Sequence, residues 1–569
     1  LPPAPDHLGL VSLSMTNNKS PTRGLSLRAF CLLSIASVLL SPVQTKAQAN
    51  LTICTEENLA QALHAGGVVN LACDGTIFLS STIVISTNVT LDAADHRVTI
   101  SGGNALRLFR VTSQAVLTLK NVTLAQGTSG NDSTNAPPGI TGQGGAIFNQ
   151  GGTVVLVDCV LSGHRAAGTD ATNGQNAGSG NGGNGNDGGG GMGGAIYNDG
   201  GLLMATNTVF SGNQALGGKG GSGGTGSSGG NGTHGGPGGD GGLGVGGAIY
   251  NTANGRIELM DCTFSSNHVA GAVGGTGGVG GGFIGFDGAP GAGGHGRGAG
   301  LFNAGGKVVI GNSTFVGNTG LGVTGNNGNP GWVNADGDPG ESGSDAQGAG
   351  LFNNGGQIAL TNCTFFGNVL AGGNGGDGGH GGENGFGGDG GNGGAGGNGN
   401  GAGLYNTAAG AATLVNCTLA GNVSKGGVGG AAALGGGATG RSGMVGTDRP
   451  SVGAGIFNQA GTVTLKNTIL AHDTGGGNCG GVITDGGNNL SSDATAQFHL
   501  ATSRNDTDPK LGLLAGNGGR TQTMALASDS PAIDAGDVLA APPLDQRHAQ
   551  RIGTADIGAY EFNGALSEI

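Results

Sequence analysis

Three features of the amino-acid sequence predict an all-β solenoid, a parallel β-helix that throws Gly-rich insertions from one corner of successive coils. A phrase of the form G-[GA]-[AG]-[IL]-[FY]-N recurs seven times, each copy followed by a short alternating strand. Between copies the chain enters Gly-rich segments, and Gly supplies 135 of 569 residues, several times the roughly 7% of an average globular chain. In two of those segments, 216–243 and 372–399, a period of three runs through the residues other than Gly, with Asn384 in the second as an added exception. A fixed period of this kind marks repeat architectures, in which a unit cannot bury its apolar residues alone and stacks on the next.

Composition removes the alternatives. Charged residues are 10% and aromatics 4%, which excludes a coiled coil. With only 16 Pro the chain is not collagen, which needs abundant Pro with one Gly per triplet. The net charge is −13 with 22 Lys and Arg, a poor match for polyanions, so nucleic acid is excluded as a partner.

Residues 1–49 read as an export signal with upstream residues. Lys19, Arg23 and Arg28 form a positive region. Residues 29–40 (AFCLLSIASVLL) are apolar but too short to span a bilayer, and Ala47-Gln48-Ala49 supplies a cleavage site. The mature chain, from Asn50, is therefore expected outside the cell or on its surface, with no membrane span. Residues 50–67 are expected to hold a capping helix. Thr55 is its N-cap, Glu56 and Glu57 its first turn, and Leu59, Ala60 and Leu63 its apolar side. It would cover the first coil, whose open strand edges otherwise invite aggregation. Residues 68–143 carry runs such as STIVI, NVTLD and VLTLKNVTL and are expected as N-terminal coils.

Residues 144–466 carry the repeat. The phrase ends at Asn149, Asn198, Asn251, Asn303, Asn353, Asn406 and Asn458, in steps of 49, 53, 52, 50, 53 and 52 residues. A second phrase, such as CTFSSN, STFVGN or CTFFGN, closes each ordered unit, for example 144–167. Each unit holds roughly three short strands, and equivalent strands stack about 4.8 Å apart. The seven Asn are read as structural, placed at bends where Asn tolerates positive φ and its amide bonds the Asn above and below.

In the insertions the period is regular. In 372–399 it runs through Asn374, Asp377, His380, Glu383, Phe386, Asp389, Asn392, Ala395 and Asn398. Two glycines per turn of three suit a left-handed threefold helix of the polyproline-II shape, with about 3.1 Å per residue. Such legs would lie side by side, with reversals at Asn384-Gly385 and near Phe283 and Ile284. The alternative is a disordered linker, favoured by the entropy that Gly loses on ordering.

Cys54 and Cys73 could pair in an oxidising compartment. Cys159, Cys262, Cys363 and Cys417 occupy equivalent places and are read as a ladder of small buried residues. No Cys-x-x-Cys or His-x-x-x-His pair suggests a metal, and no cofactor is expected. The calcium nonapeptide is matched only loosely, by GGNGNDGGG at 182–190.

The GGAI and FxxN phrases resemble those of chlamydial polymorphic outer-membrane proteins and of the right-handed parallel β-helix, pectin-lyase-like superfamily. Asp508-Pro509, NGGRTQTMAL (517–526), SPAIDAG (530–536), Asp545-Gln546-Arg547 and DIGAYE (556–561) resemble the choice-of-anchor Q domain of bacterial surface proteins. The resemblance makes 467–569 a C-terminal coil and cap. It implies a secreted or cell-surface protein in adhesion, with extracellular glycans or cell-surface components as partners. The family often has a second Cys after this point, but here 488–496 reads NNLSSDATA, which leaves Cys479 without it.

The superfamily also contains polysaccharide lyases and glycoside hydrolases, the alternative reading. Those enzymes need clustered carboxylates with a base, or two carboxylates at catalytic separation. The repeat strands carry few acids, Asp158, Glu258 and Asp261, without a matched basic neighbour. No catalytic residue is assigned, and a non-enzymatic role is expected. Asp534, Asp537, Asp545 and Asp556 lie in the densest polar segment, with Arg547, Arg551 and Glu561. They could supply oxygen ligands to calcium or close the last coil as turn and ion-pair groups.

Overall fold

The computed structural model describes residues 49–129, 139–228, 232–281, 285–332, 335–383 and 387–566. The export segment up to residue 48 and both expected reversal points, Asn384-Gly385 and Phe283-Ile284, lie outside them. Among the described residues the strands form five parallel sheets of twelve, eleven, ten, seven and six members, here sheets 1 to 5, and two antiparallel pairs near the C-terminus. In each parallel sheet a strand pairs in register with its equivalent one coil on, as Ile147–Gln150 does with Ile196–Asp199. This is a parallel β-helix.

One coil runs through Ile196–Asp199 (sheet 3), Leu202–Thr206 (sheet 1), Val209–Ser211 (sheet 2), Gln214–Leu216 (sheet 4) and Gly244–Val245 (sheet 5). Three strands per unit were expected and five are present. The strands of sheets 4 and 5 flank the Gly-rich excursion, and at two or three residues they are too short to read from alternation. Inward residues form ladders: Ile147, Ile196, Ile249, Leu301, Leu351, Leu404 and Ile456 are fully buried. Phe210, Phe264, Phe315 and Phe365 stack with centroids 4.5–4.7 Å apart.

Helix Glu56–Ala65 covers the first coil. The Thr55 side chain accepts from the Asn58 N–H, and Leu59, Ala62 and Leu63 are buried. The core face thus uses Ala62 where Ala60 was expected, because i, i+3 and i+4 share a helix side. Glu56 accepts from Ser80 N and Oγ at 2.7 and 2.9 Å. A Cys54–Cys73 disulfide joins the segment before the helix to the first coil, with Cα atoms 5.8 Å apart.

The positive-φ turns are not where the recurring Asn were placed. Asn149 and its equivalents lie within the strands of sheet 3, buried and with ordinary φ. Among the left-handed non-Gly residues, Asp158, Asn207, Asp261, Asn312, Asn362, Asn416 and Asn467, at φ of 47–55°, recur between sheets 1 and 2. The reason is local. The sheet 3 phrase already has a Gly for its bend, for example Gly193 at φ 65° and Gly246 at φ 68°, whereas the sheet 1–2 corner must turn with a side chain present.

The described residues of the excursions 168–190, 217–243, 271–295, 322–345, 372–398 and 426–452 form legs that run out from the solenoid and back. Within 217–243, Gly236, Gly239 and Gly242 donate to Gly224, Gly221 and Gly218 at 2.8–2.9 Å, so the legs are antiparallel and step by three. Toward the next excursion, Gly220 and Gly223 donate to Val273 and Thr276, and Gly238 and Gly241 to Ala289 and Ala292, at 2.8–3.0 Å. Both glycine N–H groups of a triplet are thereby satisfied. The third N–H goes to an Asn or Asp one coil back: Ser222 to Asn173 at 2.9 Å, Thr225 to Asn176 at 3.0 Å, Ala431 to Asp377 at 2.7 Å and Met444 to Asn392 at 2.7 Å. A Cβ at Gly221 or Gly239 would collide with a neighbouring backbone carbonyl, so close packing demands Gly there.

Candidate functional site

The seven Asn predicted as structural stand in one internal column. Each Nδ2 donates to the Oδ1 of the next, from Asn149 through Asn198, Asn251, Asn303, Asn353 and Asn406 to Asn458, at 2.7–3.0 Å. All are buried, so they present nothing to a ligand. A second column was missed: Asn213, Asn267, Asn318, Asn368 and Asn422 bond in the same way and end on Asp473. Its signal was the last letter of the FxxN phrase. His164 starts it and is buried, with its pKa pushed down to about 3 by desolvation. Asp473 ends it, and burial pushes its pKa up to about 8.

The ladder cysteines Cys159, Cys262, Cys363 and Cys417 are free and buried, as is Cys479. Burial pushes the Cys262 thiol up to about 12 and Cys159 to about 11, which makes them poor nucleophiles and poor metal ligands.

The C-terminal polar residues hold a strap. After the last rung, Ala496 and Phe498 close the core. Residues 517–566 then run back along the outside, over the left-handed corner. Arg520 lies 3.8 Å from Asp158, and His548 2.7 Å from Asp261. Thr521 donates to Asn312 O, Asn362 to Leu544 O, Asn416 to Asp556 O and Asn467 to Asp537 O, at 2.8–3.1 Å. The carboxylates of three of the four calcium candidates are engaged in this packing, and Asp534 contributes its N–H. Asp545 is buried and takes Arg547 at 2.7 Å, Asp537 takes Lys466 at 2.8 Å, and Asp556 accepts the Asp534 N–H at 2.8 Å. Arg551 takes Glu561 at 2.9 Å. No group of three or more His, Cys, Asp or Glu among the described residues could hold a metal ion.

Two features of the outer sheet faces bear on carbohydrate binding. On the outer face of sheet 3, Tyr197, Tyr250, Phe302, Phe352 and Tyr405 stack face to face, with centroids 4.8–5.1 Å apart. Their faces are occupied by each other, and Tyr197, Phe302, Phe352 and Tyr405 are buried, the last three in a cluster with Met192, Leu243 and Val245, so they offer no ring to a sugar. On sheet 1 a shallow hollow of about 220 Å³ is walled by Lys307, Val309, Gln357 and Thr413. It presents one cation and no carboxylate or aromatic ring.

 The remainder of its wall is Val308, Ile358, Ala359 and Ala411, and such a surface lacks the paired acid and base that glycoside chemistry needs.

The excursions carry a discontinuity that the sequence reading missed. The bonding described above joins 168–190, 217–243 and 271–295 into one blade, and 322–345, 372–398 and 426–452 into another. Among the described residues no backbone hydrogen bond links leg 272–280 to leg 323–331, or leg 287–294 to leg 337–344. Side chains stitch the seam instead. Asn326 Nδ2 donates to Gly274 O at 3.0 Å, Ser344 Oγ to Gly294 O at 2.6 Å, and the Asp345 N–H to His295 Nδ1 at 2.9 Å. Val323, Asn326, Asn329 and Trp332 stand on this face where the next excursion has Gly373, Gly376, Gly379 and Gly382 stacked on them. At the rim Trp332 Nε1 donates to Asp287 Oδ1 at 3.4 Å. The signal was present in the loss of Gly through 323–344.

No family model matches the chain, and no curated protein matches it. Among solved structures it is similar to the pectate lyase Pel9A, at 13% identity and a TM-score of 0.35 over 91% of this chain and 98% of that one. It is also similar to tailspike protein 3 of bacteriophage CBA120, at 11% identity and a TM-score of 0.23 over 75% of this chain and 59% of that one. A protein of Geobacillus virus E2 matches at 12% identity and a TM-score of 0.21, over 81% and 66%. At these values the strand ladders, and not the matches, define the fold.

Proposed function

We propose that the protein is a secreted or cell-surface, non-enzymatic β-helix that contacts extracellular glycans or cell-surface components through its Gly-rich blades. One observation carries this reading: the blades are bonded at nearly every backbone amide, yet the third residue of each triplet stays outside, as Lys219, Thr225, Asp240, Asp377 and His380 do. A hydrogen-bonded wall of this kind holds polar side chains in fixed rows without an ordering cost at contact. The strap is proposed to correspond to the anchor-type domain that its motifs resemble, with its polar residues structural. No helix among the described residues is long and apolar enough to cross a membrane.

The test is a glycan array probed with the full chain and with a variant in which 372–398 is replaced by a short turn. Binding by the full chain that is lost in the variant supports the reading. Hydrolysis or eliminative cleavage of an arrayed polysaccharide would refute the non-enzymatic part.

A further inference from the structure

The seam between the two blades differs from the rest of the Gly-rich array in its chemistry. Elsewhere facing positions are Gly or, as at Ala171, Ala177 and Ala433, another small residue, because backbone approaches backbone. At the seam both facing sides carry side chains: Asn326, Asn329, Trp332, Asp338 and Glu341 from one blade, Asp287 and Pro290 from the other. Near the solenoid Asn326 and Ser344 fill the gap. Toward the rim the chain's single Trp stands 52% exposed. Phe286, the residue before its partner Asp287, is 72% exposed. The Phe286 ring is held from behind by His234, with centroids 5.4 Å apart, and its N–H is bonded to His234 Nδ1 at 3.1 Å. Asp287 is fixed by the Gly280 N–H at 2.7 Å and by Trp332 Nε1. Asp338 lies close enough to Asp287 for the two charges to interact, and the Asn329 amide bonds it.

We infer that the rim of this seam binds a neutral oligosaccharide, with a sugar ring on Trp332 and its hydroxyls on Asp287, Asn329 and Asp338. The inference rests on the proposed glycan-contact reading and names its site. The chemistry is specific. A pyranose offers an apolar C–H face, which an exposed indole face accepts, and adjacent hydroxyl donors, which carboxylate and amide oxygens accept. These two requirements meet here on one rigid edge. The charge decides the class. Two carboxylates in a chain of net charge −13 repel uronic acids and sulfated sugars, and equally an anionic membrane.

The full chain supplies its own reporter, because Trp332 is its one indole. The probes are hexamers of β-1,4- and α-1,4-linked glucose and of β-1,4-linked mannose, with hexagalacturonic acid as the charged comparison and phosphatidylcholine vesicles as the lipid comparison. The expected result is a saturable change in Trp332 emission with at least one neutral hexamer and none with the other two probes. Calorimetry on the same hexamer should show at least a tenfold loss of affinity in Trp332→Ala and a several-fold loss in Asp287→Asn, with amide exchange of the blades unchanged in the second variant. Binding seen by calorimetry that leaves the emission and the Trp332→Ala affinity unaltered would place the sugar elsewhere, overturning this site while the glycan reading stands. An emission response to vesicles alone overturns it in favour of lipid. No binding of any hexamer overturns the site, and a blank array at the same time overturns the functional reading as well.

Discussion

Gly393 offers the sharpest test of why the blades are made of Gly. It lies in the returning leg of an inner excursion, and a methyl group there would collide with the Gly430 carbonyl of the next excursion. The obstacle is backbone on both sides, so the legs must separate. Separation endangers three bonds: Gly393 N–H to Met444 O at 2.8 Å, Gly430 N–H to Gly394 O at 2.8 Å, and Met444 N–H to Asn392 Oδ1 at 2.7 Å. At about 1 kcal/mol each the loss is about 3 kcal/mol. The lower chain entropy of Ala returns about 0.4–1 kcal/mol. Gly393→Ala should therefore cost about 2 kcal/mol locally, a roughly thirtyfold fall in amide protection. The control is built into the chain. The equivalent residue of the last excursion is Val445, 68% exposed with no further leg stacked on it, and Val445→Ala should stay within about 0.5 kcal/mol. Hydrogen exchange resolved along 372–398 and 426–452 makes the comparison. Equal protection in the two variants would refute the packing argument.

Three further outcomes follow from the buried columns. Asn303→Leu removes an acceptor for Asn251 and a donor to Gly306 O and Asn353 Oδ1; with groups left unpaired in the core it should cost about 3 kcal/mol, read as a fall in the urea midpoint. Asp473 has its pKa raised by burial to about 8 from 3.8, so the stability it contributes is complete below pH 4 and is lost as pH rises toward 8. Asp473→Asn should abolish that part of the slope and raise the midpoint at pH 8, and a slope identical to that of the unmodified protein would contradict the burial argument. The ladder thiols Cys159, Cys262, Cys363 and Cys417, buried and with the Cys262 thiol held up at about 12, should react with a disulfide reagent only after unfolding, and prompt labelling in the folded state would show otherwise.

The solenoid was legible because its two phrases fix spacing, strand and Asn at once. An error in the position of one Asn could not propagate, since seven copies repeat it. The left-handed corner was misassigned for a definite reason. Asn after a strand suits both a bend and an internal amide column, and sequence alone does not say that Gly193 and its equivalents already make the bend. The strap was harder still. Its contacts join residues up to 362 positions apart, as Arg520 and Asp158 are, and nothing local in either segment announces the other.

The Gly-rich array shows how a regular signal can hide a second one. Beneath the period of three lies a surplus of Asn and Asp at the third position, whose Oδ1 atoms receive the N–H of the next excursion. Where there is no next excursion the preference vanishes: the last one carries Val428, Leu434 and Met444, at 49%, 65% and 70% exposure. The same logic accounts for the seam. A facing position keeps Gly only while backbone lies against it, so Asn326, Asn329 and Trp332 mark the place where one stack ends and another begins. Side chains larger than a methyl group enter the space between stacked legs at such a boundary, and among the described residues the seam has a second blade opposite it. This is the physical reason to look for recognition at Trp332 and Asp287 before any other point on the array.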